Sequence, residues 1–391
     1  MSKYRIQALT FILTTFMLGC NEYMVVGVLS DIHHDFGTPF SLLGILVTVF
    51  ALTYAIATPI VAIIATHFKR HHVYFCLLAL FLIGNTWSAL STNFISLLLS
   101  RILTAMTAGA ICSMSLIMVS FVVPLAKRAQ TIAWVFAGFN IASLLGVPLG
   151  TFISTTFNWH DSFWLIDILA IFVFSLLLIY VPRNTPQVKA AEKQPSANPL
   201  QFMLNKQVIL SVCFIMAICS AQFSYYTYIR PILTSEMGFS LTALNLLLLF
   251  LGLTAIIGNS LGAWGADHGG MKAIAPLYLI MAIGLILAGL TMHQLPFLSY
   301  LLLAVVCMFN STYGATVQML FMDIANKHYP QALDLASSLN PVFSNLGISI
   351  GSFTAAQLLP YSGPGNIVYL AAGFALVGFV LATILKRSTQ I

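Results

Sequence analysis

Charge is what this chain lacks. Asp, Glu, Lys and Arg make up 7% of its 391 residues, where a soluble domain carries about 25%. Such a domain must cover itself with polar surface, so this scarcity, together with 59% apolar residues, excludes one. Catalytic signatures are missing too. There is no H-E-x-x-H, no G-x-S-x-G, no P-loop and no pair of carboxylates placed for acid–base work, which argues against an integral membrane enzyme. The six cysteines, Cys20, Cys76, Cys112, Cys213, Cys219 and Cys307, form no CxxC pair and no Cys/His cluster at zinc spacing. They read as small buried side chains, and neither a metal nor a cofactor is expected.

What the chain has is hydrophobic length. Runs long enough to cross about 30 Å of hydrocarbon as helix fall at Ile6–Leu29, Leu42–Ala65, Val73–Leu90, Phe94–Val123, Thr131–Phe157, Phe163–Val181, Val208–Ile232, Leu241–Trp264, Ala273–Thr291, Phe297–Met322, Leu335–Leu359 and Ile367–Leu385. The spacing predicts an all-α membrane protein of twelve spans. The first run follows basic residues, as a signal peptide does, but it continues to Leu29 without a small-x-small cleavage site. It is therefore read as a retained span.

Threading these spans through a bilayer sorts the basic residues by side. Lys3, Arg5, Lys69, Arg70, Lys127, Arg128, Arg183, Lys189, Lys193, Lys206, Lys272, Lys327, Lys386 and Arg387 fall together, and Arg230 alone ends a span on the other side. The positive-inside bias then puts both termini in the cytoplasm. Trp87, Trp159 and Trp164 at outer span ends, with Trp134 and Trp264 at inner ones, fit interfacial belts. Topology accounts for the net charge of +6, so no nucleic-acid partner is implied.

A shift of 201 residues aligns the chain with itself. Gly37 falls on Gly238, His67 on His268, Asn21 on Gln222, and Gly146-Val147-Pro148-Leu149-Gly150 on Gly347-Ile348-Ser349-Ile350-Gly351. Duplicated halves are common among transporters. Two six-helix bundles are expected, at residues 1–182 and 207–391, joined by a flexible cytoplasmic linker over 183–206.

With Gly19 to Gly27 in the first span, Gly138 to Gly150 in the fifth, Tyr226 to Pro231 in the seventh and Ala336 to Gly351 in the eleventh, nearly the whole length resembles the major facilitator superfamily, within it the twelve-span drug/proton antiporters and the sugar and arabinose efflux-permease branch. The first-span stretch Gly19-Cys20-Asn21-Glu22-Tyr23 is similar to that branch's G-x-x-E-[FY] opening. Gly138 to Gly150, followed by Asn158-Trp159-His160, is similar to the antiporter motif G-x-x-x-G-x-P-x-G, although Asn158 and His160 depart from its Gly-Trp-Arg trailer. Tyr226 to Pro231 and Ala336 to Gly351 resemble the branch's seventh and eleventh spans. In the loop after span two the family reads G-x-x-x-D-R-x-G-R-R. Here Ala62, Thr66, His67 and Lys69 replace its key residues and Arg70 alone matches, whereas the second copy keeps Asp267, Gly270 and Lys272. The resemblance implies a central cavity lined by spans 1, 4, 7 and 10. It also implies gating or conformational roles for Arg70, Gly146, Pro148, Gly150, Asp267 and Lys272. Arg70 and Lys272 are equally explained as inside-positive charges.

Glu22 and Arg101 are the two charges set well inside apolar runs, about 10 and 12 Å from the outer ends at 1.5 Å per residue. A charge there is expensive unless paired, hydrated or used. The resemblance turns both toward the cavity, with Glu22 as proton carrier and Arg101 as partner; a static buried ion pair is the other reading. Asp167, in the outer part of span six, is expected at the periphery with a partner such as His160, and Arg230 is expected to snorkel outward. His33, His34, His67, His71 and His72 read as loop histidines without a ligand set. Asn21, Gln222, Tyr225, Tyr226, Tyr228, Asn310, Tyr313 and Gln318 are the candidate substrate contacts, with helix packing as the alternative for each. The expected function is export of drugs, sugars or sugar-like solutes by a monomer in the bacterial inner membrane, driven by the proton gradient through alternating access. An uncoupled or importing facilitator for sugars or nucleosides is the alternative.

Overall fold

The computed structural model describes residues 3–65, 67–180, 199–329 and 332–388, and every regular element among them is helical. In chain order these are α1 (Lys3–Phe36), α2 (Phe40–Ala65), α3 (Arg70–Ala89), α4 (Phe94–Val122), α5 (Leu125–Thr156), α6 (Trp159–Tyr180), α7 (Pro199–Met203), α8 (Lys206–Tyr226), α9 (Ile229–Pro231), a π turn (Ile232–Glu236), α10 (Leu241–Asp267), α11 (Met271–Thr291), α12 (Pro296–Asn310), α13 (Tyr313–His328) and α14 (Leu333–Ser388). A helix satisfies its own backbone polar groups, which hydrocarbon cannot do. Eleven stretches among the described residues are long and apolar enough to cross a bilayer, and the last holds two spans that meet at the non-helical Gly363. Twelve crossings result, as expected. Large apolar side chains such as Ile56, Ile60 and Ile64 stand exposed in a row on α2, as a lipid solvent requires.

Local sequence sets several of the ends. Asn93 caps α4 by accepting from the Ser96 amide at 2.9 Å, and Ser240 caps α10 through the Ala243 amide. Gly37 and Gly238 share a repeat position three residues ahead of α2 and α10, and both adopt a positive φ, 62° and 72°, that a Cβ would strain. The tenth span, read as one helix from the sequence, is interrupted between α12 and α13. There the Ser311 and Thr312 hydroxyls donate back to the Cys307 and Phe309 carbonyls, and α10 presses Gly258 and Gly262 against the Met308 and Thr312 carbonyls. The seventh span likewise breaks after Tyr226, ahead of Pro231, which has no amide hydrogen to give.

The chain divides into two compact units. The first comprises Met1–Pro39 and Val49–Glu192, the second Phe40–Thr48 and Lys193–Ile391. Contiguous halves were expected, so the assignment of Phe40–Thr48 to the second unit is a difference. Its causes lie in that unit: the Thr48 and Ser352 hydroxyls are hydrogen-bonded at 2.9 Å, the Tyr228 hydroxyl is seated on Gly44, and the Phe40 and Tyr228 rings lie 6.3 Å apart. Most of the expected linker, residues 181–198, lies outside the described residues. The rest is not a free linker, because α7 buries Phe202 edge-on to Tyr329.

The glycines of span five pack inside the first unit, on α1. A Cβ built on Gly150 would stand 2.5 Å from the Met24 carbonyl oxygen, and one on Gly27 as close to that of Val147. Gly146 meets Tyr23 in the same way, and Pro148 lies buried between the two glycines. Thr15 and Thr151 tie the helices further by donating across to the Val135 and Gly27 carbonyls. In the second unit Gly347 and Gly351 of α14 abut the α8 backbone at Met216 and Ser220.

Three surface readings also change. Trp159 is 3% exposed, its indole N–H donating to Asp35 at 3.0 Å, so it is not an interfacial residue, whereas Trp87, Trp134, Trp164 and Trp264 stand exposed. Cys20, Cys219 and Cys307 are buried, but Cys76 and Cys213 are exposed on apolar helices, where a thiol is a tolerable lipid-facing group. Arg230 is buried in α9 instead of reaching outward.

Candidate functional site

Among the described residues the first unit buries three acidic or basic side chains, one each on α1, α4 and α6: Glu22, Arg101 and Asp167. Arg101, fully buried in α4, has its guanidinium carbon 4.0 Å from the centroid of the Phe50 ring, a cation–π contact. Its Nη1 donates to both the main-chain and side-chain oxygens of Asn21, each at 2.9 Å. Asn21 Nδ2 donates to Asn85 Oδ1 at 2.6 Å, and Asn85 Nδ2 donates to Asp167 Oδ1 and to the Phe163 carbonyl, both at 2.9 Å. Four helices, α1, α3, α4 and α6, are thus joined by one buried polar chain.

Glu22 stands outside it. Among the described residues no donor meets hydrogen-bond geometry at either carboxyl oxygen, the Tyr23 side chain being a looser polar neighbour, and the charges of Glu22 and Arg101 act on each other through space, with Arg101 Nε and Nη2 likewise unpartnered. The neighbouring groups are Tyr23, Tyr54 and Cys112. Sequence position put Glu22 and Arg101 at one depth; the structure gives Arg101 to Asn21. Asn21, expected to face substrate, spends its amide on this chain. Asp167, expected at the periphery with His160, is 3% exposed and bonded to Asn85, while His160 bonds Asn158 and the Ser91 carbonyl. Asn85 was missed. It lies in the third apolar run as plainly as Glu22 lies in the first, but span three is not among those that the resemblance turns toward the cavity, where the candidate amides lie.

In the second unit the substrate candidates form two groups. Asn310 donates to Gln222 and leaves its own buried Oδ1 without a partner, with Tyr225 beside Tyr226 and bonded to Cys307 Sγ at 3.3 Å. Tyr313, just past the break in span ten, bonds Cys219 Sγ and Ser344 Oγ, both at 3.1 Å. Tyr228 is fully buried with its hydroxyl unpartnered against Gly44, and Gln318 makes only a 3.5 Å contact to the Ala336 carbonyl. Of the gating candidates, Asp267 and Lys272 are exposed around the α10–α11 turn, Arg70 opens α3, and Thr66 lies outside the described residues. No cluster of three or more metal-ligating side chains occurs among the described residues.

One consequence concerns stability. Asn85→Leu strands an Asn21 N–H and an Asp167 oxygen, each worth about 1–3 kcal/mol when buried unpaired. A lowered thermal midpoint in detergent is the expected result, and an unchanged midpoint would show that the chain carries no stability.

The sequence profile of the Major Facilitator Superfamily matches residues 11–351. The chain is 30% identical to the MFS-type transporter YfhI of Bacillus subtilis over 383 residues, covering 96% of this chain and 93% of the relative. It is 27% identical to the inner membrane transport protein YdhP of Escherichia coli K12, covering 96% and 92%. Two solved structures share its fold. A bacterial homologue of the human lysosomal transporter Spinster, in an inward-facing, unoccupied conformation, gives a TM-score of 0.78 at 15% identity over 99% of this chain and 97% of that one. A D-xylose–proton symporter gives 0.75 at 18% identity, covering 97% of each chain. With the membrane spans, the internal duplication and these relatives in agreement, the chain belongs to the Major Facilitator Superfamily as a multi-pass membrane transporter and is not an enzyme.

Proposed function

We propose that the protein is a proton-coupled exporter of small organic solutes, drugs, sugars or sugar-like compounds, working by alternating access as a monomer in the bacterial cytoplasmic membrane with both termini inside. The observation that carries this reading is the Glu22 carboxyl, buried in the membrane-spanning part of the first unit with no donor in hydrogen-bond geometry at either oxygen and Tyr23 as a looser polar neighbour. An ionised carboxylate without donors in so apolar a place is costly, whereas a protonated one is not. Such a group holds a proton while enclosed and releases it once water or a cationic group reaches it, and that alternation is what coupling requires. The gradient supplies the energy, so no cofactor is needed.

Substrate contacts come from uncharged groups. Gln222, Asn310, Tyr225, Tyr226, Tyr228 and Tyr313 offer amides, phenols and ring faces, which suit hydroxylated or planar solutes. The Asn310 Oδ1 and Tyr228 hydroxyl, buried and unpartnered, are the best placed to accept new bonds. Asp267 and Lys272 are assigned to the inner loop that governs the conformational change, and Arg70 to its counterpart in the first repeat.

The test uses everted membrane vesicles carrying a pH gradient reported by a quenched dye. A transported solute collapses part of the gradient on addition, and a panel of sugars, nucleosides and cationic drugs identifies its class. Failure of every class to move the gradient, while a labelled solute still crosses, would rule out proton coupling.

A further inference from the structure

Arg101 accounts for one buried positive charge in the first unit, and two buried acids, Glu22 and Asp167, compete to balance it. The hydrogen bonds decide between them. A guanidinium only donates, so Asn21 must present its oxygen to Arg101 and its NH2 to Asn85. Asn85 must then present its oxygen to Asn21, and its NH2 reaches Asp167 Oδ1 and the Phe163 carbonyl. Every link points one way, from the cation to the Asp167 oxygen. Asp167 therefore receives on Oδ1 the donor that an anion needs, relayed from Arg101, while its Oδ2 has no partner, and Glu22 receives no donor from this chain of bonds.

We propose that Asp167, and not Glu22, is the fixed counter-charge of Arg101, reached through the Asn21 and Asn85 amides, and that the exchangeable proton of the site resides on Glu22. This rests on the proton-coupled reading for its second half only. Asp167 acts here as a positioning residue, since it touches neither substrate nor proton path. By balancing Arg101 it relieves Glu22 of that duty. The groups facing Glu22 are Arg101 and Cys112 from α4, Tyr54 from α2 and Tyr23 on its own helix. Those facing Asp167 are Asn85 and Thr86 from α3. The α5 helix carries titratable side chains only in its first turn, at Lys127 and Arg128.

Infrared spectroscopy of the purified protein in lipid vesicles reads carboxyl protonation directly and needs no substrate. At neutral pH the wild type is expected to show a protonated-carboxyl C=O band that Glu22→Gln removes. Adding Arg101→Gln to Glu22→Gln leaves Asp167 without its cation, so a protonated-carboxyl band is gained, and Asp167→Asn in that background abolishes it. Asp167→Asn alone hands the counter-charge to Glu22, whose band is lost. A band that survives Glu22→Gln and vanishes on adding Asp167→Asn would overturn the assignment, and these near-isosteric substitutions decide the point even if the Arg101 variants fail to fold. An absent gain in the Glu22→Gln/Arg101→Gln protein would overturn it as well. A wild type without any protonated-carboxyl band would instead sink the proton reading of Glu22, while the double variant still reports on Asp167.

Discussion

Glu22→Gln is expected to leave a transporter that still binds and exchanges its solute but no longer concentrates it. One proton crossing 100 mV supplies about 2.3 kcal/mol, and a tenfold gradient costs about 1.4 kcal/mol, so the coupled protein can sustain a solute gradient of about 50-fold at that voltage. The amide keeps the shape of the carboxyl but cannot exchange a proton. Accumulation by everted vesicles should therefore fall from that level to the equilibrium ratio, while counterflow of labelled against unlabelled solute persists. Full accumulation by the variant would remove Glu22 from the coupling mechanism. A wild type that equilibrates solute without ever concentrating it would make the protein a facilitator.

Gly150→Val should be the most damaging of the packing variants. A Cβ at that position would stand 2.5 Å from the Met24 carbonyl oxygen, and main chain cannot rotate out of the way as the tip of a side chain can. The helices α1 and α5 must separate, which takes Gly27 off Val147 and the Thr151 hydroxyl off Gly27 at once. Overpacking costs about 1–3 kcal/mol where neighbours can adjust, and here the loss should reach or pass the upper figure. A large drop in folded yield and in the detergent melting midpoint is expected, with Gly150→Ala intermediate. If the valine protein melts like the wild type, the close approach of α1 and α5 is not needed for stability.

Much of the architecture was legible because bilayers impose a simple code. Run length marks the twelve spans, and the 201-residue shift marks the repeat, whose two helix-opening glycines, Gly37 and Gly238, carry the same positive φ. The interruptions were not legible. Asn310-Ser311-Thr312-Tyr313 is no more polar than stretches that stay helical, and the break goes with the back-bonding of the Ser311 and Thr312 hydroxyls together with the close approach of Gly258 and Gly262 from another helix. The site was half legible. A charge inside an apolar run announces itself, so Glu22 and Arg101 stood out, but which group each one meets depends on helix rotation, which hydropathy does not encode. Asp167 looked peripheral because its span looked so, and Trp159 looked interfacial because it sits at a span end. Asn85 and Asp35, respectively, hold them inside.

The two amides between Arg101 and Asp167 also set what that connection can carry. An aspartate, histidine or water in either place would accept a proton on one side and release it on the other. Asn21 and Asn85 have no such chemistry, since their N–H groups do not ionise in this range. The link transmits polarisation and nothing else. A membrane that stores energy as a proton gradient cannot tolerate a conductive path through its transporters, and a cation tied to its distant anion through an insulator gives fixed charge without a leak.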